Sequence, residues 1–164
     1  MTSTNLRHSV RAIILDEQDR VLLCRLAIAR PRAAIVWAAP GGGIERDETP
    51  LAALRRELHE EVGLSMDAAP PHVWRQEVVA PGYAAGHAGV RNDYFLVRTT
   101  VFEPRGAASD DDLTAEHITG FRWWSLPELA GYRGPDLFSP RDLAAPLTAL
   151  LADGVPARPL SLGL

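Results

Sequence analysis

Residues 42–64 read GGIERDETPLAALRRELHEEVGL, and this stretch carries most of the information about the fold. Thr49 is a preferred helix N-cap, and Pro50 suits the first helical position. Gly63 is suited to the left-handed conformation that ends a helix. Between these two ends, apolar residues recur at helical spacing and form one stripe: Leu51, Leu54, Leu58 and Val62. The stretch therefore predicts an amphipathic helix between Thr49 and Gly63.

Three glutamates, Glu57, Glu60 and Glu61, follow one another at positions i, i+3 and i+4 of this helix. At about 100° per residue they share one arc beside the apolar stripe, with Glu61 nearest the core and Glu60 farthest from it. Like charges at these spacings repel each other, so the arrangement favours a bound cation. Oxygen ligands indicate a hard ion such as Mg²⁺ or Mn²⁺. A solvated acidic face is the alternative, and it is the usual explanation of an isolated ExxEE triplet.

A glycine-rich segment, Pro40–Gly43, precedes the helix. Glycines allow backbone groups to approach a metal or a phosphate closely, which makes Gly42 a candidate for substrate contact. The segment is not a P-loop, because no Lys-Ser/Thr pair follows it, and the dinucleotide pattern GxGxxG is not met either.

Short apolar segments outside this region predict strands over 10–15, 21–26, 34–39, 73–80, 94–102 and 121–125. Glu103–Asp112 has the composition of an exposed loop, and Ser139 is predicted to cap a last helix over about 140–152. This mixture predicts one α/β or α+β domain over residues 1–164, with a loosely held tail after about Gly154.

Bulk properties limit the classes of function. The net charge of −4 argues against a nucleic-acid scaffold but is compatible with a nucleotide substrate, because a metal inverts the local charge of an acidic site. Cys24 is the single cysteine and is predicted to be a small buried residue, so no internal disulfide forms. The polar segment Met1–His8 lacks a signal core, and no apolar run is long enough to cross a bilayer. These features predict a cytoplasmic protein without a membrane or nucleic-acid partner.

The stretch from Gly42 to Leu64 resembles the Nudix box, Gx5Ex7REUxEExGU, in which U is a bulky aliphatic residue. Every specified position is occupied, by Gly42, Glu48, Arg56, Glu57, Leu58, Glu60, Glu61, Gly63 and Leu64. Residues 21–25, 37–42 and 122–129 resemble further segments of the same MutT-like family. The resemblance implies an α/β/α sandwich with a mixed β-sheet.

The resemblance also implies roles for single residues. It assigns metal binding to Glu57, Glu60, Glu61 and the Gly41 carbonyl, bracing of the loop to Glu48 and Arg56, and the helix end to Gly63. A further carboxylate outside the box often binds metal or acts as a base in this family. Glu116 is the candidate for that catalytic role, and Asp110, Asp111 and Asp112 compete with it.

The activity implied is metal-dependent hydrolysis of a pyrophosphate linkage in a nucleoside diphosphate derivative, by attack of water at phosphorus. Nucleoside triphosphates and ADP-ribose are equally good substrate candidates. Arg25 is a candidate phosphate contact, and several aromatic residues are candidates for stacking on a base: Trp37, Tyr83, Phe95 and Trp123. The alternative is a non-catalytic, nucleotide-sensing Nudix domain, which the intact glutamates disfavour. Both a monomer and a homodimer are compatible with the sequence.

Overall fold

The computed structural model describes residues 5–29, 32–80 and 86–163. Its helices are Pro50–Glu61 (α1), Asp110–Ala115 (α2), Leu126–Ala130 (α3) and Ala144–Asp153 (α4). Its strands are Leu6–Leu15 (β1), Val21–Ile28 (β2), Ala34–Ala38 (β3), Gly41–Gly43 (β4), His72–Val79 (β5), Gly89–Arg98 (β6), Ile118–Trp124 (β7), Leu137–Ser139 (β8) and Leu160–Leu162 (β9). Within the described ranges, no helix combines the length and apolar composition that a membrane span requires.

The strands form one mixed sheet in the order β8-β3-β2-β1-β6-β5-β9, with β4 paired to β1 and β7 paired to β2. The central β1–β6 pair is parallel and runs from Leu6 opposite Gly89 to Leu15 opposite Arg98. β1 pairs with β4 in antiparallel orientation, which brings the three glycines of β4 alongside Ser9, Val10 and Arg11. The sheet thereby holds the glycine segment against its centre.

Two hydrophobic clusters cover opposite faces of this sheet, because successive side chains of a strand point to opposite sides. Ile13 and Leu15 of β1 pack into a cluster with Leu147 and Leu150 of α4. Ala12 and Ile14 pack into the other cluster, with Leu54, Leu58 and Ala53 of α1. The predicted α/β/α arrangement is thus confirmed, and α1 is fixed on one face of the sheet by its apolar stripe.

Two segments differ from the sequence-based expectations, the strand β6 and the segment 103–112. This strand begins at Gly89 rather than near residue 94, and it contains the polar residues Arg91, Asn92 and Asp93. The sequence analysis missed this part of the strand because it identified strands by apolar residues. Asn92 and Asp93 are nevertheless buried and hydrogen-bonded. The segment 103–112 is not wholly a loop, because α2 begins at Asp110 after a capping box formed by Ser109 and Asp112.

The C-terminal expectations need two corrections. Ser139 does not cap the last helix, because it pairs with Ala38 as part of β8, and α4 starts later. The tail after Gly154 was expected to be loose, but β9 adds to the edge of β5 in parallel. The Gln76 side chain donates a hydrogen bond to the Gly163 carbonyl at 2.7 Å, which fastens the end of the described chain.

Candidate active site

Helix α1 carries the glutamates of the box. Its first turn is capped by Thr49, whose hydroxyl accepts a hydrogen bond from the Ala52 amide at 3.1 Å. Its end is closed by Gly63, which has a φ of 75° and donates its amide to the Leu58 carbonyl at 2.9 Å. The predicted helix and both of its ends are confirmed.

Burial of the glutamates follows the order that the helical periodicity predicts. Glu61 is 3% exposed and Glu57 is 6% exposed, whereas the Glu60 side chain is 45% exposed. Glu60 turns towards Arg56, whose Nη1 lies 3.5 Å from its carboxylate. The solvated-face alternative does not fit, because two of the three carboxylates lie at the edge of the core.

A third carboxylate, that of Glu116, meets Glu57 and Glu61. One carboxylate oxygen from each of the three residues lies within 4.8 Å of the others. They line a cleft of about 290 Å³ that also includes the Gly41–Gly43 segment. Among the described residues, this group does not include Glu60, whose role as a metal ligand stays a prediction.

Glu116 reaches this position because its segment is tied to the end of α1. Backbone amides of residues 105–108 donate to the last carbonyls of the helix: Arg105 to Val62 at 3.1 Å, Ala107 to His59 at 3.0 Å and Ala108 to Glu60 at 2.8 Å. A side chain on Gly106 would place its Cβ 2.1 Å from the Glu60 carbonyl oxygen, so this approach requires glycine. Helix α2 follows directly and ends at Glu116, its C-cap. The competing aspartates, Asp110 to Asp112, lie in the first turn of α2 and do not belong to the group of three carboxylates.

Burial and neighbouring carboxylates raise the pKa of two members of this group, Glu61 and Glu116. Burial and the neighbouring Glu57 raise the pKa of Glu61 to about 9, and the pKa of Glu116 is raised by burial and by Glu57 and Glu60. Cys24, buried as predicted, has its Sγ 4.0 Å from Glu61, and burial together with Glu61 raises the pKa of its thiol. A cation among the carboxylates would remove this repulsion.

The donor set fits a hard divalent cation. It consists of carboxylate oxygens at the edge of a glycine segment, which is the ligand chemistry of Mg²⁺ and Mn²⁺. The Gly41 amide donates to Glu61 Oε2 at 3.1 Å and so orients this carboxylate. A Cβ on Gly42 would stand 2.5 Å from Glu57 Oε1, which explains the glycine at that position. Metal binding by the Gly41 carbonyl and substrate contact at Gly42 stay predictions.

Arg56 joins the glycine segment, the following loop and the helix. Its guanidinium donates to Glu48 at 2.8 and 2.9 Å, to the Gly43 carbonyl at 3.1 Å and to Glu57 Oε1 at 2.9 Å. The hydrogen bond from Arg56 lowers the pKa of Glu48 to about 2, and the hydrogen bond to Glu48 raises the pKa of Arg56. The geometry is that of the bracing pair which the box resemblance implies.

Replacing Arg56 with Ala is expected to lower turnover by roughly ten- to a hundredfold, because Glu57 and the glycine segment lose their common support. The measurement is kcat and Mn²⁺ affinity, with Arg55→Ala as the control, since Arg55 is the adjacent, exposed arginine of the same helix. Equal turnover and metal affinity in the two variants would contradict the bracing role.

Two of the candidate substrate contacts from the sequence, Trp37 and Arg25, need revision. Trp37 lies in the core, 7% exposed, with its ring 5.2 Å from Trp124 and its Nε1 donating to Asp136. Arg25 donates to the Thr119 hydroxyl and does not line the cleft, because its neighbours Cys24 and Leu26 occupy the cleft side of β2. Tyr83 lies outside the described residues.

The cleft contains two arginines that sequence reasoning missed, Arg7 and Arg11 of β1. The sequence offers a clue to Arg11, because a single charged residue within the apolar run of β1 indicates a functional position. Arg7 precedes that run in a polar segment, where an arginine does not stand out from its neighbours. His117 also lines the cleft, beside Glu116, with a φ of 67°.

Comparison with known proteins places the chain in a family. The NUDIX domain model matches residues 5–144, and the chain therefore belongs to the Nudix hydrolase family. The chain is similar to an RNA pyrophosphohydrolase of Acidiphilium cryptum (36% identity, 59% of this chain, 63% of that protein). It is also similar to the nucleoside triphosphatase NudI of an Enterobacter species (39% identity, 44% of this chain, 53% of that protein). The matched segments thus span less than two thirds of these two relatives.

Solved structures show the same fold. The ORF135 protein of E. coli aligns with a TM-score of 0.66 at 23% identity, covering 96% of this chain and 99% of that one. The MutT protein of Methanosarcina mazei aligns with a TM-score of 0.64 at 17% identity, covering 93% and 98%.

Proposed function

We propose that this protein hydrolyses a pyrophosphate linkage in a nucleoside diphosphate derivative, with Mg²⁺ or Mn²⁺ held by Glu57, Glu61 and Glu116. The observation that carries the proposal is the convergence of these three carboxylates within 4.8 Å, in a cleft that the glycine segment also lines. Glu57 and Glu61 are buried, and like charges at this separation are costly unless a cation joins them.

The protein contributes positioning and proton transfer. A cation held by the three carboxylates would supply positive charge near the phosphate oxygens on which charge builds during the reaction. Glu57 and Glu61 are held in place by Arg56 and by the Gly41 amide. Glu116 is the most exposed of the three, and we assign the oxygen of this carboxylate that does not hold the cation to accept a proton from the attacking water. As the new bond from water to phosphorus forms, the bridging phosphorus–oxygen bond breaks and the leaving phosphate group takes the electron pair.

The relatives favour a triphosphate among the candidate substrates. One relative is an RNA pyrophosphohydrolase and another is a nucleoside triphosphatase, and a nucleoside triphosphate carries a chain of three phosphates. This similarity also keeps the 5′ end of an RNA as a candidate, although the composition argued against a nucleic-acid partner. A non-catalytic, nucleotide-sensing domain remains the second function, and turnover distinguishes the two.

Wild-type protein is expected to release phosphate or nucleotide from at least one member of a panel containing nucleoside triphosphates, ADP-ribose and a short 5′-triphosphorylated RNA. Activity should require Mg²⁺ or Mn²⁺, vanish after treatment with a chelator and return when the metal is restored, because carboxylates without a cation repel the negatively charged phosphate oxygens. Binding of panel members without turnover under all of these conditions would favour the sensing function.

A further inference from the structure

The end of α1 and the segment before α2 are interlocked through two glycines, Gly63 and Gly106. A Cβ on Gly63 would lie 2.2 Å from the Arg105 carbonyl oxygen. A Cβ on Gly106 would lie 2.1 Å from the Glu60 carbonyl oxygen. Both distances are far shorter than a side chain tolerates, so each segment approaches the other at a point where the other has no side chain.

The interlocked backbone also completes the hydrogen bonding at the end of α1. The last carbonyls of a helix have no partner within the helix. Here they accept hydrogen bonds from the amides of residues 105, 107 and 108, at distances between 2.8 and 3.1 Å. The Gly106 amide, in the middle of this run, makes no hydrogen bond with another described residue. Residues 105–108 thus form a clamp on the end of α1.

Helix α2, which follows the clamp and ends at Glu116, has little support of its own. None of its residues is buried, and they line parts of two cavities of about 450 and 510 Å³. Directly after α2, the His117 carbonyl accepts a hydrogen bond from the Ala27 amide at 2.9 Å. The position of Glu116 therefore depends on backbone contacts at the two ends of α2 and not on packing of the helix itself.

We propose that the clamp positions Glu116 for metal binding and proton transfer, and that Gly106 and Gly63 are positioning residues of the reaction. Neither glycine has a side chain with which to bind the cation, so both act through the backbone that leads to Glu116. Gly63 thereby has a second role besides ending α1, because only a glycine there admits the clamp. This inference rests on the proposed function, in which Glu116 holds the cation.

Gly106→Ala tests the clamp with the smallest possible side chain. The backbone of Gly106 lies outside the left-handed region, so alanine conflicts only with the carbonyls at the end of α1. The variant should bind Mn²⁺ more weakly and have a lower kcat, each by roughly tenfold to a hundredfold, with a smaller change in KM. Gly120→Ala is the matched control, because Gly120 lies in β7 and a Cβ there would meet no atom within 4 Å.

Gly63→Asn separates the two roles of this glycine. Asparagine adopts a positive φ more readily than most residues, so it can still end α1 at the φ of 75°. Its Cβ nevertheless meets the Arg105 carbonyl oxygen. The variant should therefore lose Mn²⁺ affinity as Gly106→Ala does, whereas a residue that only ends the helix would leave this affinity at the wild-type value.

A double-mutant cycle with Glu116→Gln distinguishes positioning of Glu116 from a general loss of structure. If Gly106 acts through Glu116, adding Gly106→Ala to Glu116→Gln should weaken Mn²⁺ binding further by less than about twofold. A loss in the double variant equal to the product of the two single losses would overturn the positioning role.

Amide hydrogen exchange of the metal-free wild type tests the clamp without turnover and without a variant that could fail to fold. After correction for intrinsic rates, the amides of residues 105, 107 and 108 should exchange at least about tenfold more slowly than the Gly106 amide. Equal rates, or wild-type Mn²⁺ affinity in both glycine variants, would overturn the clamp and leave the proposed hydrolysis intact. Protected amides and clamp-dependent Mn²⁺ binding without hydrolysis of any panel member would overturn the proposed function and leave the clamp standing.

Discussion

Replacement of Glu61 with Gln is expected to reduce kcat by at least about a hundredfold, because the loss of one carboxylate from the metal site removes about 3 kcal/mol or more of transition-state stabilisation. Glu61 is the most buried of the three carboxylates and is held by the Gly41 amide at 3.1 Å. The uncharged amide of Gln occupies the same volume, so the effect isolates charge and metal binding from packing. Mn²⁺ affinity should fall together with kcat.

The same substitution should have the opposite effect on the stability of the metal-free protein. The pKa of Glu61 is raised by burial and by Glu57 from 4.5 to about 9, so the folded protein holds this proton more tightly than the unfolded chain does. The contribution of the Glu61 carboxyl group to the stability of the folded protein is fully present below about pH 4.5 and is lost as the pH rises through about 9. Glu61→Gln removes this loss and should melt at a higher temperature than the wild type at pH 8 when metal is absent.

Thermal melting at pH 5 and pH 8 measures the stability of the metal-free protein when a chelator is present and the stabilisation by metal when Mn²⁺ is present. Mn²⁺ should stabilise the wild type much more than Glu61→Gln, since a ligand that binds only the folded state stabilises it by RT ln(1 + [L]/Kd), and the variant has the higher Kd. Glu103→Gln is the matched control, because Glu103 is exposed and does not line the cleft. A Glu61→Gln variant that binds Mn²⁺ and turns over like the wild type would show that the metal site is wrongly assigned.

The local parts of the site could be predicted from the sequence, and the parts assembled from distant segments could not. Helical periodicity placed Glu61 nearer the core than Glu60, and the burial of the two side chains confirms it. Arg7 comes from the other end of the chain, and its place in the cleft depends on the pairing of β1 with the glycine segment. No local pattern encodes such a pairing. The prediction that Trp37 contacts the substrate was wrong for a related reason. The register of β3 with β2 decides the face of β3 on which Trp37 lies, and the sequence alone does not give this register.

The buried polar centre of β6 shows a second limit of sequence patterns. Asp93, with a side chain that is 4% exposed, is surrounded by four basic side chains from three strands. His8 Nε2 and Arg91 Nε lie 2.5 and 3.2 Å from its Oδ2, and His72 Nε2 and Arg75 Nε lie 2.9 and 3.0 Å from its Oδ1. Burial opposes ionisation, but the hydrogen bonds from Arg75 and His8 lower the pKa of Asp93 below its ordinary value. The carboxylate therefore links β1, β5 and β6 through charge where apolar alternation is absent.

Replacement of Asp93 with Asn is consequently expected to lower the free energy of unfolding by about 3 kcal/mol at pH 7, because Arg75 and Arg91 lose the anion between them. This is the low end of the range for a broken buried pair, since the arginine side chains are 42% and 33% exposed and can turn towards water. In a chain of this size the loss corresponds to a fall in melting temperature of roughly 6 to 12 °C.

Urea unfolding at pH 7 and at pH 3 measures the contribution of Asp93. Because its folded-state pKa is lowered, the contribution is present above the ordinary value of 3.8 and is lost as the pH falls through the folded-state value. The difference in stability between wild type and Asp93→Asn should therefore begin to shrink in acid. Asp19→Asn is the control, since Asp19 is 55% exposed and pairs at 3.0 Å with an equally exposed Arg98, a contact worth about 1 kcal/mol or less. If both variants lost the same small amount of stability, the four donors around Asp93 would be no more than a surface charge cluster, and the junction of β1, β5 and β6 would have to be held by backbone pairing alone.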